Sequence, residues 1–142
     1  ENGIPRLSRD IHMAGNNFTQ KLVEALGVDF KSAEELKMNP NSEKQEKVNA
    51  TMEVALASLA GEVRVSFDYY ESQSTSSVSK IFLSGGGSRF TGLREMLSSQ
   101  LGIEVQYWDP FKQIPVSKEA DGEKCKKLSQ QLAVAVGLAL RD

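Results

Sequence analysis

Along most of the chain, apolar residues return at steps of three and four, the spacing of a helix that buries one face. Phe18, Leu22, Val23 and Leu26 predict a helix over 18–26, with Asn17 placed as its N-cap and Gly27 as its stop. Val28-Asp29-Phe30 leads into a short predicted helix over 32–38, which Asn39-Pro40-Asn41 breaks. Ser42 is placed to cap the next helix, with Gln45 or Glu46 near the capping-box position. The stripe of that helix runs through Val48, Met52, Leu56, Leu59, Val63, Phe67 and Tyr70 as one continuous apolar face. Such a stripe is first of all a core face. Gly61 interrupts it at a cost of about 1 kcal/mol relative to alanine. Tight packing or the approach of a ligand is therefore expected at that point. The serine-rich stretch 71–79 reads as a surface loop.

Beyond it the period shortens. An apolar run predicts a strand over 78–83, followed by Gly85-Gly86-Gly87 and a helix over 93–101 that Gly102 ends. Ile103, Val105 and Tyr107 alternate with Glu104, Gln106 and Trp108, a second strand, and Asp109-Pro110-Phe111 turns out of it. The polar stretch 112–122 is a predicted loop. A last helix over 124–140 is dense in Ala, Val and Leu and is expected to lie sandwiched in the core. At the other end, Asn2-Gly3 is a hairpin-turn signal, followed by a predicted strand over 5–11 with Pro5 at its edge or start. A hairpin needs a strand on both sides and only the following one is visible. The expectation is a piece of a larger protein, with an exposed strand edge that favours association with another chain. Strands alternating with helices predict an α/β fold.

Composition narrows the function classes. A chain of 142 residues suits one domain or two small subdomains. Its net charge of -2 gives no electrostatic case for nucleic acid. No apolar run has the length of a membrane span. Cys125 is the single cysteine, which rules out an internal disulfide and fits a reducing compartment, and the lone His12 has too few soft ligands around it for a metal site.

The chemistry is expected at the glycine turn. Lys80-Ile81-Phe82-Leu83-Ser84 runs into Gly85-Gly86-Gly87-Ser88-Arg89 just before a helix. A strand, a bare turn and a helix N-terminus leave backbone N–H groups free to meet a nucleotide. Many glycine turns join strands to helices and bind nothing, so the turn alone does not decide between a site and a connection.

Several segments in order resemble one family. Arg9-Asp10-Ile11 with Ala14-Gly15-Asn16-Asn17-Phe18-Thr19, Ala25-Leu26-Gly27-Val28-Asp29-Phe30 with Ala33-Glu34-Glu35-Leu36-Lys37, and the glycine turn from Ile81 to Leu93 are three of them. Gly102-Ile103-Glu104-Val105 with Asp109-Pro110-Phe111, and the run Ala133-Val134-Ala135-Val136-Gly137-Leu138-Ala139-Leu140-Arg141, complete the series. Together they resemble the second lobe of the actin-like ATPase superfamily, and within it the PilM family of type IV pilus assembly. The resemblance implies a C-terminal lobe with a helical subdomain IIB over about 18–76 and a subdomain IIA formed by 1–17 and 77–142. The family carries glycine where Ala14 stands here, which adds a methyl group near a backbone bend.

What the resemblance implies for function is ATP or ADP, with magnesium in the intact protein, in a cleft between two lobes. Gly85, Gly86 and Gly87 would let the backbone approach ribose and adenine, and Arg89 would lie against the base. Glu62 and Ser66, four apart on one helical face, would reach the ribose or the adenine edge, and Gly15 would lie toward the phosphates. The family's other phosphate-gripping motifs are not in this sequence, so no catalytic residue or metal ligand is nominated and hydrolysis by this chain alone is not expected. The resemblance also implies a cytoplasmic protein peripheral to the inner membrane. Such a protein would bind an N-terminal peptide of PilN through the first lobe and contact other pilus platform and motor proteins. Two rivals stand beside this reading. One is an actin-like scaffold in which nucleotide is structural or absent; the other is a sugar kinase, for which no sugar-binding constellation is visible.

Overall fold

A computed structural model describes residues 4–39, 43–112 and 114–141. The predicted Asn2-Gly3 turn, the Ser42 cap and the Pro40-Asn41 break lie outside the described residues. Three helices come first: α1 (Gly15–Leu26), α2 (Phe30–Met38) and α3 (Gln45–Ser72). They are followed by β1 (Lys80–Leu83), a 3-10 turn (Gly86–Arg89), α4 (Leu93–Leu101) and β2 (Glu104–Tyr107). The chain closes with α5 (Gly122–Lys127) and α6 (Ser129–Ala139).

The apolar stripe of α3 organises the packing. Val48, Met52 and Leu56 are fully buried, against Leu22 of α1 on one side and Leu93, Leu97 and Leu101 of α4 on the other. Burial of each such side chain stabilises the fold by about 1.5–3 kcal/mol. Toward its C-terminus the stripe fades: Phe67 and Tyr70 are only half-buried. Tight packing is not the reason for Gly61, since a Cβ there would meet nothing within 4 Å.

β1, α4 and β2 form a parallel βαβ unit, with Ile81 opposite Val105 and Leu83 opposite Tyr107. Ile81, Leu83 and Val105 face the core, while Lys80 and Phe82 face out. Two glycines end helices as the sequence predicts, Gly27 at φ 64° and Gly102 at φ 68°. The Arg64 guanidinium donates to the Leu101 carbonyl at 2.7 Å, a cation placed on the negative end of α4.

Three expectations are corrected. Residues 5–11 form no strand: they have no ladder among the described residues, so the open edge expected there is not present. The segment is held by side chains instead, through Arg9 on α3. The last helix is broken at Leu128, whose backbone at φ -106° and ψ 8° ends a separate α5 that Asp121 caps at its start by accepting from the Lys124 N–H at 3.0 Å. Finally, α6 is not sandwiched. Val134 is 73 % exposed and Leu138 59 %, since α6 is held at its first turn and no described element covers its apolar face beyond.

Candidate functional site

The glycine turn is built from three residues with different reasons to be bare. Gly85 sits at φ 89°, a conformation that only glycine adopts without strain. Its N–H donates to the Gln130 carbonyl at 2.7 Å, and its carbonyl accepts from the Ser88 hydroxyl at 2.7 Å. The first bond welds the end of β1 to the first turn of α6, and the second closes the glycine turn on itself. Gly86 and Gly87 have no positive φ. A Cβ on Gly86 would meet Gln131 Nε2 at 3.8 Å, and one on Gly87 would meet the Gly15 nitrogen at 4.0 Å, both ordinary contacts. Nothing among the described residues requires glycine at these two positions. What their bareness does is leave backbone open to the space between the turn and α1.

The N-terminus of α1 forms the opposite wall. The helix begins at Gly15, not at residue 18, with Ala14 as its extended N-cap. Asn17 is therefore not the cap. It is the third helical residue, and its Oδ1 reaches back to accept the Ala14 N–H at 2.8 Å. The first N–H groups of α1, at Gly15 and Asn16, have no partner within the helix and carry its positive pole.

Beneath lies a polar cluster supplied by α2. The Lys37 ammonium is buried, 5 % exposed as a residue. It donates to Glu34 Oε2 at 2.6 Å, to Thr19 Oγ1 at 2.8 Å and to the Gly15 carbonyl at 3.2 Å. These acceptors take up all three of its donors. The Thr19 hydroxyl is in turn within reach of Glu34 Oε2 and the Gly15 carbonyl. Partial burial pushes the Glu34 carboxyl up, but the hydrogen bonds from Lys37 and Thr19 and the Lys37 charge outweigh it. The net effect holds the carboxyl below its usual range. The cluster fixes the carbonyl of the first residue of α1, and so the direction of that helix start.

Between these walls is a cavity of about 410 Å³. It is lined by Gly15 and Asn16, by Glu34 and Lys37, by Gly86, Gly87 and Arg89, and by Gln131. The Thr91 hydroxyl donates to the Met38 carbonyl at 2.9 Å and so ties the glycine turn to the end of α2. A further hollow of about 500 Å³, at the C-terminal end of α3 beside Arg6 and Tyr69, has no glycine turn and no helix N-terminus facing it.

Of the residues predicted from sequence, Gly15, Gly86, Gly87 and Arg89 meet at the cavity, and Gly85 holds the turn from behind. Glu62 and Ser66 do not line it. They are taken up by Arg9, whose guanidinium donates to the Glu62 carboxylate, to the Glu62 carbonyl at 2.8 Å and to Ser66 Oγ at 3.1 Å. The four-residue spacing did place both on one face, but that face meets the 4–14 segment. Sequence reasoning passed over Glu34, Lys37 and Gln131 as site residues. The first two lie in the segment Ala33-Glu34-Glu35-Leu36-Lys37 that carries the family resemblance, but their three-residue spacing on a short helix is common on solvated faces and gave neither a role.

The cavity's size and donors suit a nucleotide: pockets for such ligands run to a few hundred Å³, with polar groups at few points. For magnesium the described residues offer no group of three or more His, Cys, Asp or Glu side chains. An ion that keeps several waters and takes phosphate oxygens does not need such a cage. Among the described residues no helix is long and apolar enough to cross a membrane.

An α/β chain whose parallel strand pair opens, through a glycine turn, onto a helix N-terminus defines the class. The particular family follows from comparison with known proteins. The profile of the family described as type IV pilus assembly protein PilM matches residues 4–142, and the chain belongs to that family. Among solved structures, a chain of the PilM-PilN type IV pilus biogenesis complex is similar to it at 28 % identity and a TM-score of 0.72. That match covers 88 % of this chain and 35 % of the other, so the chain spans about a third of that relative's length. No curated protein matches it.

Proposed function

We propose that the chain is the adenine-nucleotide-binding C-terminal lobe of a pilus assembly protein, with ATP or ADP in the cavity between the glycine turn and α1. The observation that carries this reading is the meeting of Gly86, Gly87 and Arg89 with the α1 N-terminus around one cavity of about 410 Å³. Phosphates would lie at the Gly15–Asn16 N–H groups, where the helix dipole and free donors favour anions. The bare turn would pass along the ribose, and the Arg89 guanidinium would stack on the base. Magnesium, when bound with nucleotide, would be held mainly by phosphate oxygens and water. With this division, 18–76 is the IIB-like subdomain, and 1–17 with 77–142 is the IIA-like one. In the cell the protein would work in the cytoplasm at the inner membrane, coupling platform and motor components.

The similar solved structure is a complex with PilN. PilN binding is proposed for the intact protein through its first lobe, so a PilN peptide should not bind this chain alone. A second reading, the scaffold with no nucleotide, has one observation in its favour: Lys37 has all three donors satisfied inside the chain.

Calorimetric titration of the full chain with ATP and ADP, with and without magnesium, separates the two. The nucleotide reading expects saturable binding that is lost in Gly86→Val, whose added side chain would enter the cavity beside Gln131. Absence of binding at millimolar nucleotide would leave the scaffold reading standing and sink the first.

A further inference from the structure

The two bare residues of the turn look toward different walls. Gly87 faces the Gly15 nitrogen, and Gly86 faces Gln131 Nε2. The cavity therefore has two polar ends. The α1 end has free N–H groups and a positive pole, and takes phosphates. A ligand extended along the turn with its phosphates there turns its other end toward Gln131.

Gln131 lines the cavity at its Gly86 end. Its side-chain amide makes no hydrogen bond among the described residues, yet its backbone is fixed on both sides. Its N–H donates to the Leu128 carbonyl at 2.9 Å, and its neighbour Gln130 accepts the Gly85 N–H at 2.7 Å. A fixed backbone thus presents an amide with free donor and acceptor beside the turn. Asn16, the other amide lining the cavity, is at the phosphate end.

A side-chain amide offers an N–H and a carbonyl oxygen side by side. Adenine offers the complement, an amino donor at N6 beside an acceptor at N7. Guanine offers two acceptors, O6 and N7, so the amide oxygen would face an oxygen. We infer that Gln131 is the residue that selects adenine over guanine in this cavity, an inference that rests on the nucleotide reading above.

The test is a titration of the full chain and its Gln131→Ala variant with ATP and with GTP. Wild type should bind ATP about tenfold or more tightly than GTP, the discrimination typical of one bidentate amide–adenine pair. The variant should lose about that factor for ATP and keep its GTP affinity, so that the preference disappears. Because Gln131 is exposed, the variant's melting temperature should equal that of the wild type. A preference that survives in the variant overturns the inference. So does an equal loss for both nucleotides, which would make Gln131 a structural residue, and so does a wild type without preference. A wild type that binds neither nucleotide overturns the underlying nucleotide reading, and this inference with it.

Discussion

Two clusters in this molecule have the same composition and different surroundings. Each joins a glutamate, a cation and a hydroxyl: Glu34, Lys37 and Thr19 at the cavity, and Glu62, Arg9 and Ser66 on the outer face of α3. In the first, the cation's side chain is 7 % exposed; in the second, 37 %. Chemistry readable from residue types is therefore the same, and burial sets them apart. The buried cluster fixes a backbone carbonyl at the start of a helix that faces a cavity. The exposed one fastens an extended segment to a helix, with water competing for every partner.

The difference is sharpest if one partner is removed. Lys37→Met is expected to lower the unfolding free energy by about 2 kcal/mol in denaturant titration, since it removes the buried ammonium shared by the Gly15 carbonyl, the Thr19 hydroxyl and the Glu34 carboxylate. The cost stays below that of a wholly buried pair because the Glu34 side chain is 44 % exposed and can turn to water. Arg9→Ala, removing the equivalent cation from the outer cluster, is expected to cost less than about 1 kcal/mol and to lose most of that at high salt. Equal effects of the two substitutions would erase the comparison.

A smaller effect follows from the lowered carboxyl of Glu34. A carboxyl whose folded value is depressed contributes stability at pH above its ordinary value of 4.5, and loses it as pH falls through the folded value. Acidification below pH 4.5 should therefore destabilise the wild type more than Glu34→Gln, with the two curves parallel near neutral pH. Curves parallel throughout the acid range would show that Glu34 is not held as an ion by Lys37 and Thr19.

The same contrast explains what was legible in the sequence. Helices with glycine stops were readable, because Gly27 and Gly102 adopt the left-handed conformation that ends a helix. So was the strand–turn–helix that positions the cavity, because Gly85 must take a positive φ. The buried cluster was not. Glu34 and Lys37 are three residues apart on a helix, and so are Lys21 and Glu24, which form an exposed pair at 3.6 Å. Spacing alone cannot separate these pairs; what does is Thr19 and Gly15 on another helix. Glu62 and Ser66 share a face as their spacing implies, but the segment that meets them there is distant in sequence and so was not legible. The expected strand over 5–11 and the expected burial of α6 failed together. Both rested on local pattern, and a strand needs a ladder and an apolar helix needs a cover that pattern does not supply.

The most direct measurement of the central claim is a two-dimensional amide NMR titration of the full chain with ATP. The account predicts that the resonances of Gly15, Asn16, Gly86, Gly87 and Arg89 move together along one saturation curve while those of Glu62 and Ser66 stay in place. Shifts centred on Glu62 and Ser66 with a silent glycine turn, or no shifts at millimolar ATP, would contradict it.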